Sequence, residues 1–384
     1  MSNIKNRISI LKNATVFPAA NFSYVENISE IAGIETWSKN LPGFGRYLNG
    51  KHLSSRSARI LYLKTHPKRY IKGKYLYLGI MHEHFGHFLC ESISMMWAAK
   101  FFEAEVDGFI IILCADNRRC CDFDKTFFRS ICKIFSVNTK KIKFLDELVD
   151  IESLIIPQIG HPPGLKPKKW YLDELKKGIS RQNLIRSNYP KKIFVGRGDA
   201  YFNKTIGINY FRKILTCNNF YILYPEKFNI LTQLSYILSA DIIIWEEGSA
   251  CHLCDLLPSF KEKESFIIKR RPVRSLADNS VISKFRNIKI YMQVEMIDLW
   301  PTKNHRDHIS RFTDPEGLFK TLKDCGYIKN NKFQYFNFML HELKELLIIY
   351  KKYLVIDLKS FSVKHLKPRV NQRFWAFLRK CSPL

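Results

Sequence analysis

Between residues 191 and 268 short apolar runs alternate with amphipathic stretches across short links, and few folds accommodate that rhythm. Strands are expected over 192–195, 221–224, 241–245 and 265–268, with helices over 209–217, 230–239 and 249–257. Strands joined in succession by helices need right-handed crossovers, which lay the strands side by side in a parallel sheet. A looser version of the pattern precedes it: strands over 74–81, 109–113 and 153–157, helices over 87–102 and 124–135. His161-Pro162-Pro163-Gly164 then opens an irregular, Lys-rich seam before a linking helix over 170–187. After about residue 275 the pattern weakens until a long helix over 333–358 and a short amphipathic one over 370–380. The chain therefore reads as α/β in three parts: residues 1–185, residues 186–330, and basic C-terminal helices over 331–384.

Charge narrows the partners. The sequence has 62 Lys and Arg against 35 Asp and Glu, a net charge of +27 that no single tail carries. Such a field attracts polyanions: nucleic acid, an anionic membrane face or a phosphorylated substrate. A Lys-, Ile- and Asn-rich composition supplies part of the surplus without functional meaning. No zinc knuckle, RNP-like strand or other recognition module is legible, so nucleic-acid binding stands only as the alternative, carried by charge and aromatics. No stretch reaches the roughly 18 apolar residues of a membrane span, and residues 1–21 lack a signal-peptide pattern. Ten Cys at irregular spacings fit a reducing compartment. A cytoplasmic protein is expected, peripheral on the inner face of the membrane. For that placement the segment 331–384 has eleven Lys and Arg against three Asp and Glu. Within it Phe374, Trp375, Phe377 and Leu378 sit among Arg373, Arg379 and Lys380, as in a helix suited to an anionic surface. The same helix would also serve to pack back across the domains.

Three segments carry chemistry. The first is Met81-His82-Glu83-His84-Phe85-Gly86-His87-Phe88-Leu89-Cys90-Glu91-Ser92. Its histidines miss the His-Glu-x-x-His spacing of a zinc helix, because Gly86 stands four residues after His82; a metallohydrolase using His82, His84 and His87 is the weakest reading. Once a helix starts, His87 and Glu91 stand at i and i+4 on one face, at the carboxyl end of a strand. Either group there is placed to take a proton from a hydroxyl. His82 and His84 read equally as ordinary strand-end residues. The second segment is Ile193-Phe194-Val195-Gly196-Arg197-Gly198-Asp199-Ala200, a strand ending at an Arg between two Gly, suited to a bidentate grip on a pyrophosphate. The third, Trp245-Glu246-Glu247-Gly248-Ser249-Ala250-Cys251-His252, turns from strand to helix. The N–H groups of that helix start form an anion site, Gly248 lets a phosphate approach the backbone, and Ser249 caps or bonds it. Glu247 would be repelled by a phosphate and is assigned to a ribose or sugar hydroxyl. Cys251, His252 and Cys254 imitate a metal cluster, but within one turn and without a fourth ligand they read as core.

These blocks, in this order, resemble glycosyltransferase family 61, in particular its bacterial branch of capsular polysaccharide biosynthesis proteins. The similarity spans roughly 75–270. It implies a GT-B fold: two Rossmann-like domains with parallel sheets facing a cleft, the donor mainly on the C-terminal one and the acceptor on the other. It implies an inverting transfer from a nucleotide-sugar to a glycan or glycolipid acceptor, with no cofactor beyond that co-substrate and no bound metal. By position Arg197, Gly248 and Ser249 would hold the donor diphosphate and Glu247 its ribose or sugar. His87 or Glu91 would be the general base, and His84 would lie on the acceptor side. No nucleic-acid partner is expected.

Overall fold

A computed structural model of the chain describes residues 2–17, 33–35, 47–48, 51–52, 69–81, 85–113, 125–147, 149–185, 187–198, 204–298, 308–329 and 332–360. Its strands, in chain order, are β1 (Ile8–Phe17), β2 (Gly33–Glu35), β3 (Tyr47–Leu48), β4 (Lys51–His52), β5 (Arg69–Met81), β6 (Gly108–Leu113), β7 (Ile142–Leu145) and β8 (Val149–Pro157). They continue as β9 (Lys192–Val195), β10 (Thr205–Ile206), β11 (Tyr221–Leu223), β12 (Ile242–Glu246), β13 (Phe260–Ile268), β14 (Phe285–Tyr291), β15 (Val294–Asp298) and β16 (His308–Phe312).

The regular rhythm produces the sheet it predicts. β11, β9, β12, β13 and β14 form a five-stranded sheet in that order, every neighbouring pair parallel. Period-two alternation divides its residues between two cores. Ile193, Val195, Ile243, Trp245 and Ile267 face one, while Phe194, Ile244, Phe266 and Ile268 face the other with Phe211, Leu215 and Leu318. The helix Ile230–Ser239 matches its expected limits because Asn229 caps it, accepting the N–H of Thr232 at 3.0 Å.

The earlier sheet is mixed, where parallel strands were expected. Its order is β2-β1-β8-β5-β6-β7, with β5, β6, β7 and β8 parallel and β1 antiparallel to both β2 and β8. β1 escapes a periodicity reading because Lys12 and Asn13 interrupt its alternation, and Asn13 adopts the left-handed region at φ 52°. Leu76, Leu78, Phe109, Ile111 and Ile155 from this sheet join the same core as Ile193 and Trp245. The two sheets therefore share one apolar interior.

The helix expected over 87–102 is present as a composite. Phe85–His87 is α, Phe88–Ser92 π, Ile93–Ala98 3₁₀ and Ala99–Phe102 α. The cause is a close approach to β5. Ser92 donates its hydroxyl to the carbonyl of Ile80, and a β-carbon at Gly79 (φ 116°) would stand 2.8 Å from the Ser92 carbonyl oxygen. Pinning the backbone there opens one turn and tightens the next. The linking helix runs Lys169–Arg181 and stops where Asn183 turns left-handed at φ 48°. A small sheet, β10-β16-β15, supports the long helix Tyr335–Ser360 through Ile206, Ile309, Leu346 and Ile349. Residues 370–380 lie outside the described part.

Candidate functional site

β11, β9 and β12 are adjacent, and all three end at the same edge of their sheet. A cavity of about 690 Å³ lies over that edge. Gly196, Arg197 and Gly198 enter it from the end of β9, Pro225 and Glu226 from β11, and Ser249 and Ala250 from β12. Phe85 and Phe127, from helices of the first sheet, form the opposite wall, their rings 5.0 Å apart. The carboxyl edge of a parallel sheet is where ligands of open α/β folds bind, because helix starts and strand ends converge there.

The backbone of Arg197 is held from both sides. Its N–H donates to Glu246 Oε2 at 3.1 Å, and its carbonyl accepts from Arg212 Nη2 at 3.1 Å. Arg212 and Glu246, both buried, close the bracket with a 2.5 Å ion pair. Burial works against the Arg212 charge, but Glu246 outweighs it and raises the guanidinium above its ordinary value. Gly248 makes room for the side chain: a β-carbon there would come within 2.6 Å of Arg197 Nη1. What approaches this glycine in the structure is thus the arginine.

Glu247 does not line the cavity. It is fully buried, and its Oε2 accepts the N–H groups of Arg270 at 2.9 Å and Arg271 at 3.1 Å. Its Oε1 accepts Arg271 Nε at 2.9 Å, Arg271 Nη2 at 2.6 Å and the Ser275 hydroxyl at 2.9 Å. Lys269 Nζ lies 3.0 Å away and also pairs with Asp278 at 2.6 Å. Burial opposes ionisation, yet Lys269 and Arg271 prevail and hold the carboxyl down at about 2. The effect is to fix the Lys269-Arg270-Arg271 run that follows β13. Arg270 is itself lowered to about 10, first by burial and then by the charge of Arg197, so the two guanidiniums lie within electrostatic reach. Two cations gathered over helix and strand ends attract a multiply charged anion.

His87 and Glu91 fall in the composite helix, in its first α turn and its π turn, directly after Phe85 on the cavity wall. His82 and His84 lie outside the described residues. The structure thus gathers Arg197, Ser249 and the turn at Gly248 around one cavity and sets Glu247 behind it.

A family model described as Glycosyltransferase 61 matches residues 85–260. Residues 85–260, a little under half of the chain, are thus similar to glycosyltransferase family 61. No curated protein matches it.

The matched stretch begins at Phe85 and takes in the three strand ends that build the cavity. The likeness is to a family described as glycosyltransferases. Arg212, Glu246 and Arg270 were not singled out from the sequence. One signal existed: Arg212 follows Phe211 on the buried side of the helix Ile208–Cys217, where an unpaired charge would not persist. Behind the cavity, His252 Nδ1 lies 3.1 Å from Asp255 Oδ2 and 2.8 Å from Ser280 Oγ. Asp255 also meets His161 Nδ1 at 3.3 Å, which ties the seam after β8 to the helix Ser249–Leu256. Cys251 and Cys254 stand in a C-x-x-C spacing but are fully buried, and burial pushes the Cys251 thiol up to about 12.

Proposed function

We propose that the chain is an inverting, nucleotide-sugar-dependent transferase of GT-B type that extends a surface polysaccharide or glycolipid. The observation that carries this reading is that Arg197 and Ser249, from the ends of adjacent parallel strands, line one cavity. The donor diphosphate occupies that edge, gripped by Arg197 and the N–H groups after Gly248, with Arg270 reinforcing the positive field. Glu247 positions the Arg270–Arg271 segment, a support role in place of the sugar contact expected for it.

In the reaction, an acceptor hydroxyl gives its proton to His87 or Glu91 while its oxygen attacks the anomeric carbon. The bond from that carbon to the diphosphate oxygen breaks, and the nucleoside diphosphate leaves with the electron pair. Arg197 stabilises the charge that develops on the leaving oxygen, the largest single contribution a fixed cation makes in a sheltered site. Inversion follows from attack on the face opposite the leaving group. No cofactor or metal is needed in this scheme.

The test is a thermal-shift screen of nucleoside diphosphates and nucleotide-sugars without added metal. A stabilising nucleotide in the wild type, with most of the shift removed in Arg197→Ala, supports the proposal. No response to any nucleotide in the panel would retire it.

A further inference from the structure

The helix Tyr335–Ser360 has two apolar faces, and among the described residues one of them is packed against the rest of the fold. Phe338, Glu342, Glu345, Leu346 and Ile349 turn inward and are buried. Glu342 pairs with Arg311 at 3.2 Å, and Glu345 accepts the N–H groups of Gly207 and Asn209, both at 2.9 Å. At about 100° per residue, Phe336, Leu340, Leu343 and Leu347 fall on the opposite side. They are 74%, 49%, 40% and 51% exposed. Their spacing joins them into a continuous stripe along the helix, unlike the scattered single apolar residues of an ordinary surface.

Charge decides what covers the stripe. From Tyr335 to Lys351 the only acids are Glu342 and Glu345, both inward and engaged. The cations Lys344 and Lys351 are exposed beside the stripe. A second copy of the helix laid against it would set these lysines against their own kind. An anionic lipid surface satisfies both halves of the face: the Phe and Leu side chains enter the boundary between headgroups and acyl chains while the lysines stay among the phosphates. The net charge of +27 adds attraction from a distance. We infer that this face of the helix is the docking surface for an anionic phospholipid bilayer, with the helix lying in the plane of the membrane. No helix among the described residues is long and apolar enough to cross one. The inference does not depend on the transferase mechanism, and it places docking on a surface other than the one expected at 370–380.

The experiment is co-sedimentation of the full-length protein with vesicles of phosphatidylglycerol and phosphatidylcholine in equal parts, against vesicles of phosphatidylcholine alone. The protein is expected to pellet with the mixed vesicles only. Leu340→Glu with Leu347→Glu should weaken that partitioning about tenfold or more. Both positions are half-exposed, so the fold should survive, which an unchanged melting temperature would verify. Phe374→Glu with Phe377→Glu, in the C-terminal segment, should bind as the wild type does. Three results would overturn the inference: undiminished binding by the Leu340/Leu347 variant, loss confined to the Phe374/Phe377 variant, or a dimer that this Leu pair dissolves while neither form binds vesicles.

Discussion

Arg197 lies across Gly248, so that a β-carbon at position 248 would stand 2.6 Å from Nη1 and 3.2 Å from Cδ of the arginine. The two residues come from different strands, and the glycine gives the guanidinium its resting place at the cavity edge. Gly248 has φ 174°, ordinary extended backbone, so its role is space. In Gly248→Ala the outer end of a flexible side chain is what must move. The fold should persist while affinity for a nucleoside diphosphate falls about tenfold, or about 1.4 kcal/mol, by titration calorimetry. Unchanged affinity would show that the resting position of Arg197 is immaterial.

The bracket of Arg212 and Glu246 makes a separate prediction about stability. Removing one partner leaves the other buried and charged, so Arg212→Ala should cost about 3–5 kcal/mol in urea unfolding. Arg212→Met combined with Glu246→Leu should recover most of that loss, because no uncompensated charge remains. The double variant should still lose donor affinity, since the Arg197 backbone is no longer held.

Glu247 sets a dependence on acid. Its folded value of about 2 lies below the ordinary 4.5, so its contribution is present above 4.5 and is lost as pH falls from there through about 2. The size is about 3 kcal/mol from the shift in proton affinity. Chemical denaturation across that window should show stability declining with acid in the wild type and a flatter profile in Glu247→Gln. Equal slopes in the two proteins would contradict the ion cluster.

Glu345 behaves in the opposite sense. Burial raises it to about 7, against Lys204 and the N–H groups of Asn209 and Gly207. Its stabilising contribution is fully present below 4.5 and is lost as pH rises through about 7. Glu345→Gln should remove that decline between mildly acid and neutral pH.

Within the proposed mechanism, the choice of base between His87 and Glu91 is a kinetic question. Replacing the true base, by His87→Ala or Glu91→Gln, should lower kcat about 10²–10⁴-fold with little change in donor KM. Replacing the other should leave kcat within about tenfold of wild type.

Much of the second sheet was legible because β9 and β12 are buried on both faces and read as unbroken apolar runs. β1 and β14 were not, since polar residues break the one and line the solvent side of the other. The site was partly legible for a related reason. Arg197 and Gly248 stand out locally, by glycine flanks and a strand-to-helix turn. Their supports do not, because Arg212 meets Glu246 across 34 positions of sequence, and Glu247 meets Ser275 across 28. Nor does a Glu-Glu pair at a strand end reveal its neighbours. Here Glu246 bonds to the end of β9 and Glu247 to the residues after β13, an assignment only the packed sheet supplies.

Leu76, Phe109, Ile193 and Trp245 belong to a single apolar interior although they come from different sheets. Swinging one sheet away from the other would bring that interior into contact with water. If the cavity takes the donor as proposed, entry is therefore expected through rearrangements at the rim, with the floor of the cavity kept rigid. Slow amide exchange in β5 and β12 should accordingly collapse together, as one cooperative unit, when the protein is pushed toward unfolding.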